Sequence, residues 1–239
     1  MLSSLLLPTR RAHIDFGATF AEIDGLLHGR GLRSTPIDPE LAHARGLFLV
    51  EMATKAFAGE RIARAVVSHV RAGPVFSSLV VTIHPRPELD APILLADVRV
   101  LPSGTTRAYL DACGPGANGE FDVLFRKPLS QTLDAAVASA VRRQRVPEWM
   151  NAISSGAGAQ VAASPGRGSV LAYALLRYVE RYLDGVDRAT AAVDASANVV
   201  AARKVADVVR THGRGGKMIA RAFGAGFAER YDQLLWNVA

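Results

Sequence analysis

The sequence predicts a layered α+β domain rather than a wound parallel sheet, and three observations carry that expectation. Between Leu47 and Ala112, short segments rich in Val, Leu and Ile follow one another at hairpin-like spacing. After Pro128 the texture turns helical, with apolar residues recurring three and four apart. A block of strands followed by a block of helices is the pattern of segregated layers. At 239 residues, 49% hydrophobic and with a mean hydropathy of +0.16, the chain can also bury one large core without splitting.

Taken in order, residues 1–44 read as a peripheral segment. A helix is expected across Phe16–Leu27, after the basic Arg10-Arg11, and a Gly/Pro-containing loop through Gly29–Pro39 leads onward. The single main domain then runs over 45–239. Leu47–Met52, Ile62–Arg71, Leu79–His84, Pro92–Leu101 and Arg107–Ala112 are the expected strands of an antiparallel meander. Helices follow at Leu129–Arg145, at Val170–Leu183 with apolar residues at 171, 175, 176, 179 and 183, at Ala189–Arg210 and at Lys217–Trp236. The Ser/Gly/Ala stretch Ser154–Ser169 reads as a loop.

Composition narrows the function classes. The opening Met1–Pro8 lacks the basic region of a signal peptide, and no window reaches the roughly 18 apolar residues of a membrane helix, so a cytoplasmic protein without a membrane partner is expected. The lone Cys113 can form no internal disulfide and by itself holds neither zinc nor an iron–sulfur cluster. A net charge of +6 and a pI near 9.9 point to an acidic partner. Because the arginines are scattered and only 7% of residues are aromatic, the interleaved surface of a nucleic-acid binder is not evident, and no nucleic-acid partner is expected.

Gly114-Pro-Gly-Ala-Asn-Gly119 fits G-x-G-x-x-G by letters, but Glu120–Phe125 reads as extended where a dinucleotide site needs a helix. Gly213–Lys217 lacks the spacing of a phosphate loop. The six histidines form no metal-binding pair, and no nucleophile elbow is present. Asp97 interrupts the apolar run Pro92–Val100. Either it faces a pocket, where burial would push its pKa toward that of a proton donor, or alternation turns it to solvent.

Four stretches, in order, resemble the ferredoxin-dependent bilin reductase family. They are Leu49-Val-Glu51 through Arg61 to Val66-Val67-Ser68; Leu79–Arg86 running into Ala91–Val98; Val146-Pro147-Glu-Trp149 with Ile153-Ser154; and Ala222-Phe223-Gly224 with Ala228–Tyr231 and the terminal Leu-Leu-Trp-Asn-Val. The resemblance implies a three-layer α/β/α sandwich around a central antiparallel sheet. It also implies a bilin bound between the sheet and the C-terminal helices, no bound cofactor, and electrons arriving singly from ferredoxin, whose acidic surface would suit this basic chain. Asp97 falls on the family's pocket aspartate, which takes part in proton transfer, and Arg86, at the end of the matching Leu79–Arg86 stretch, is a candidate substrate-binding residue.

The departures from the family pattern bear on the chemistry. The family's pocket histidines fall on Val66 and Val80, and an acidic neighbour falls on Ser68. Valine neither donates nor accepts a proton. His212 and His84 are the candidate replacements, His84 because it shares strand parity with Val80. Arg214 and Lys217, or Arg143 and Arg145 from the Pro-Trp side, are the candidates to hold propionates. A reductase that uses Asp97 as proton donor, a bilin-binding protein without turnover, and a different redox or biosynthetic reaction on the same fold are the three readings that follow.

Overall fold

The computed structural model describes residues 14–237 except positions 75, 115–118, 140 and 214. Nine strands form one open sheet: β1 (Arg33–Thr35), β2 (His43–Arg45), β3 (Val50–Ala58), β4 (Ile62–Ala72), β5 (Phe76–Pro85), β6 (Ile93–Val100), β7 (Thr106–Cys113), β8 (Val141–Gln144) and β9 (Ala159–Ala163). The path is β1-β3-β4-β5-β6-β7-β9-β8, every pairing is antiparallel, and β2 shares the outer edge of β3 with β1. Strands β3 to β7 are the expected meander, closed by turns such as Pro102–Gly104, where Gly104 has φ 78° and its N–H meets the Leu101 carbonyl at 2.8 Å.

The sheet lies between two helical layers, as the fold expectation required. On one face are α1 (Gly17–Gly29), the short α3 (Gly119–Phe121), which passes through a π-turn at Asp122–Arg126 into α4 (Lys127–Ala138), and α6 (Gly168–Arg188). On the other are α2 (Pro39–Ala42), α5 (Glu148–Asn151), α7 (Ala195–His212), α8 (Gly215–Phe223) and α9 (Ala225–Trp236). Helix α6 lies across the first face because Leu171, Leu175, Tyr178, Val179, Tyr182 and Val186 recur along one stripe, all buried. The Tyr178 and Tyr182 hydroxyls donate to the carbonyls of Ala157 and Pro92 at 3.1 and 2.6 Å, so these rings are buried with their polar ends satisfied.

Several elements depart from expectation for identifiable reasons. Residues 14–44, read as peripheral, bring Phe16, Ile23 and Leu27 fully into the core and supply β1 and β2. The helix expected over Leu129–Arg145 ends at Ala138, and Val141–Gln144 forms an edge strand. Strand β9 lies inside the stretch read as a loop; its small residues hid it, yet its register against β7 is complete. Helix α7 begins only at Ala195, capped by the Asp194 carboxylate on the Ser196 and Ala197 N–H groups. The last helix divides at Gly224, whose φ of 95° needs glycine. Glu120–Phe125 is helical rather than extended. The dinucleotide reading of the glycine run still fails, now because both neighbours of β7 are antiparallel and no parallel βαβ unit exists there.

Candidate functional site

Strand pairing fixes what the α7–α9 face displays. The register Thr54↔Ser68↔Val80↔Asp97↔Tyr109↔Gln160 runs as one row across six strands. Side chains alternate faces, so the next row toward the start of β6 is Ala56, Val66, Thr82, Leu95 and Asp111, and the next the other way holds Ser78, Arg99, Arg107 and, beyond Ala162, Arg142. These middle strands are covered on the opposite face, yet Val80, Asp97, Arg99 and Gln160 retain partial exposure. The helical layer does not seal these four residues, and the partly open strip they form, the candidate cleft, has a mixed polar and apolar floor.

Asp97 is the floor's acid. Its side chain is 22% exposed, accepts a hydrogen bond from Ser78 Oγ at 3.3 Å and is ion-paired to Arg99 Nη2. Burial raises its pKa above the ordinary carboxylate value; Arg99, and after it the Ser78 hydrogen bond, oppose the rise. Tyr109 is its cross-strand neighbour on β7, and Tyr231 of α9, hydrogen-bonded to Ser68, has its phenol pushed up by burial and by the nearby Asp97 charge.

A second buried carboxyl, missed in the sequence, is Asp111. It accepts from Tyr109 Oη at 3.0 Å and from Ser155 Oγ at 3.3 Å, and burial raises its pKa. The bond to Ser155 ties the segment after α5 to the sheet. Strand parity with Tyr109 could have flagged it, but Arg107–Ala112 has little other patterning. Arg99, Arg107 and Arg142 were also missed, because a row across strands is invisible until the register is known.

The other candidates scatter. Val66 is sealed on the floor under α9 and Val80 is half-buried beside Asp97. His84 shares their face but is held: Nε2 lies 2.8 Å from the Leu235 carbonyl, its ring meets Trp236 edge-on, and burial lowers its pKa to about 4. With Arg64, which donates to the Leu234 and Asn237 carbonyls, it anchors the end of α9. His212 is exposed at the end of α7 and stacks on Trp149 of α5, centroids 5.8 Å apart. Arg86 donates to the Glu60 and Gly59 carbonyls in the β3–β4 turn. Arg143 shares the parity of Val141, so it points to the opposite face and pairs with Asp134 of α4 at 2.6 Å. Arg145 is exposed between β8 and α5, Lys217 is exposed in the first turn of α8, and Arg214 lies outside the described residues.

Two depressions, of about 710 and 680 Å³, flank β2 and share His43, Ala44 and Arg45; neither contains Asp97. Among the described residues no group of acids, histidines and cysteine is arranged to hold a metal ion, and no helix is long and apolar enough to cross a membrane.

An open antiparallel sheet between two helical layers is the bilin reductase fold, and this chain is a divergent sequence on it. Phytochromobilin synthase from tomato, solved in complex with biliverdin, superposes with a TM-score of 0.73 at 17% identity, over 91% of this chain and 80% of that one. PcyX superposes with a TM-score of 0.52 at 10% identity, over 84% and 86%. No protein-family model matches the sequence, and no curated protein matches it.

Proposed function

We propose that the chain binds a linear tetrapyrrole, or a similar extended conjugated molecule bearing carboxylates, in the cleft over Val80 and Asp97, and reduces it. Two reduced ferredoxins would each deliver one electron, and two protons complete the addition of two hydrogens across one double bond. Asp97 supplies one of these protons. The observation that carries the reading is a half-buried carboxyl of raised pKa on an otherwise sheltered sheet face, within a fold whose tomato counterpart is solved with biliverdin. The exposed Arg107 and Arg142 on the same face offer donors for propionates, and the chain's charge of +6 favours an acidic electron donor.

A specific observation favours a second reading, a bilin carrier. Val80 stands beside the acid and Val66 two strands away in the next row, both with side chains that move no protons, and His84 is committed to the Leu235 carbonyl. Both readings place the ligand in the same cleft.

An absorbance titration with biliverdin, followed under anaerobic conditions by a ferredoxin-reducing system, tests them in one cuvette. A shifted band that then bleaches supports reduction, and Asp97→Asn then binds without bleaching. A shifted band that persists identifies a carrier. Absence of any spectral change overturns both.

A further inference from the structure

The partner of Asp97 poses a problem for any proton-donating role. An aspartate held by a guanidinium is stabilised as the anion. Arg99 occupies Asp97 in the free protein, although its own side chain is 41% exposed and stands at the open part of the cleft. On the adjacent strand Arg107 pairs with Arg99 in register, and Arg142 lies on the same face about 10 Å farther across the sheet, at about 4.8 Å per strand. Among the described residues Arg99 is the one member of this row with an ion-pair partner. The row is thus a cationic margin beside the acid, and its nearest member is bound to that acid.

We infer that Arg99 is a positioning residue that exchanges partners when ligand binds: it leaves Asp97 for a carboxylate of the ligand and frees the Asp97 carboxyl to face the ligand's pyrrole nitrogens. This rests on the reading of the cleft as a bilin site. The exchange is an ion-pair replacement in which no covalent bond changes. The groups facing Asp97 are few. Ser78 of β5 donates to Oδ1, Tyr109 of β7 is its cross-strand neighbour, and Tyr231 of α9 feels its charge. Of these and Arg99, only the guanidinium carries positive charge, and it is the largest influence opposing the burial-driven rise in the pKa of Asp97. Its departure therefore moves that pKa upward, toward the protonated form a donor needs. A ligand that brought its conjugated core without carboxylates would leave Arg99 in place, still opposing the rise in the Asp97 pKa.

Biliverdin and biliverdin dimethyl ester share one chromophore and differ only in the two carboxylates, which makes them the probe pair. Asp97 is followed by pH titration of its carboxyl carbon in labelled protein, free and with each compound. The diacid raises the Asp97 pKa and the diester leaves it near the free value. In Arg99→Gln the free Asp97 already titrates higher, the two compounds give the same titration, and affinity for the diacid falls about tenfold while that for the diester does not change. Equal shifts from diacid and diester in the wild type, or a free Asp97 titration unaltered in Arg99→Gln, overturn the exchange while the bilin site stands. Loss of any absorbance change with either compound overturns the site and the exchange together.

Discussion

On the face of the sheet covered by α6, Leu79, Val81, Ile83, Leu94, Ala96 and Val98 are sealed from solvent. One residue along the same strands, on the face toward α7–α9, stand Val80, Thr82, His84, Leu95, Asp97 and Arg99, four of the six polar or charged and three partly open. The two sets share strands, register and neighbours and differ only in parity. The first face is a packing surface on which a long amphipathic helix is seated. The second is divided: α9 clamps one half through His84 and Arg64, and the other half stays partly open around Asp97. Sealed packing is concentrated on one side of the sheet and the partly buried carboxyl on the other, which is how the domain can hold a costly group without unfolding.

Truncation on the sealed face gives the largest effect. Tyr182→Ala removes a fully buried ring and its 2.6 Å bond to the Pro92 carbonyl, and costs about 3–5 kcal/mol in urea unfolding. A loss under 1 kcal/mol would break the division between the faces.

His84 tests the clamped half through pH. Its folded pKa is near 4, below the unfolded value near 6.5, so the unfolded chain takes up the proton first as pH falls. The stability it supports is complete above about pH 6.5 and is lost toward pH 4, by on the order of 3 kcal/mol. His84→Gln, compared with wild type at pH 7 and 4.5, loses that part of the slope; an identical slope would show that the ring titrates normally.

A smaller effect follows at Gly185 of α6. A methyl group there would lie 2.6 Å from the Phe125 ring and 2.8 Å from the Leu124 carbonyl, so Gly185→Ala lowers stability by about 1–3 kcal/mol, readable as a fall in Tm. The smallest effect is at the cleft itself. Asp97→Asn changes unfolding free energy by less than about 1 kcal/mol, since the side chain is partly solvated and its pair with Arg99 is near the surface. A large loss at Asp97 would mean that the acid helps to hold the fold.

Much of this architecture is legible in the sequence, and the gaps have physical causes. Ile62–Arg71 and Leu79–His84 announce themselves because β-branched residues crowd both faces of central strands. Ala159–Ala163 does not, because alanine carries no β signal and the strand forms only through its partners β7 and β8. Val141–Gln144 reads as helix because Arg-Arg-Gln favours one, and edge pairing overrides that preference. At the site, Asp97 stands out as a charge in an apolar run, whereas Arg99 and Asp111 gain meaning only from cross-strand register. Arg143 shows the limit from the other side: one position along β8, Arg142 faces the cleft strip and Arg143 faces α4, a distinction no composition argument draws.

The sheet's two ends also bear on how the molecule behaves in a crowd. At one end β3 is capped by two three-residue strands, β1 and β2, placed one after the other along its edge. At the other, β8 is four residues long, and three of them, Arg142, Arg143 and Gln144, are exposed and polar, two carrying like charge. A strand from another copy would find too few free backbone groups at the first end and a repelling fringe at the second. The nine-stranded surface is thereby protected from stacking edge to edge at high concentration, and the chain can keep one sheet face partly open without recruiting its own neighbours.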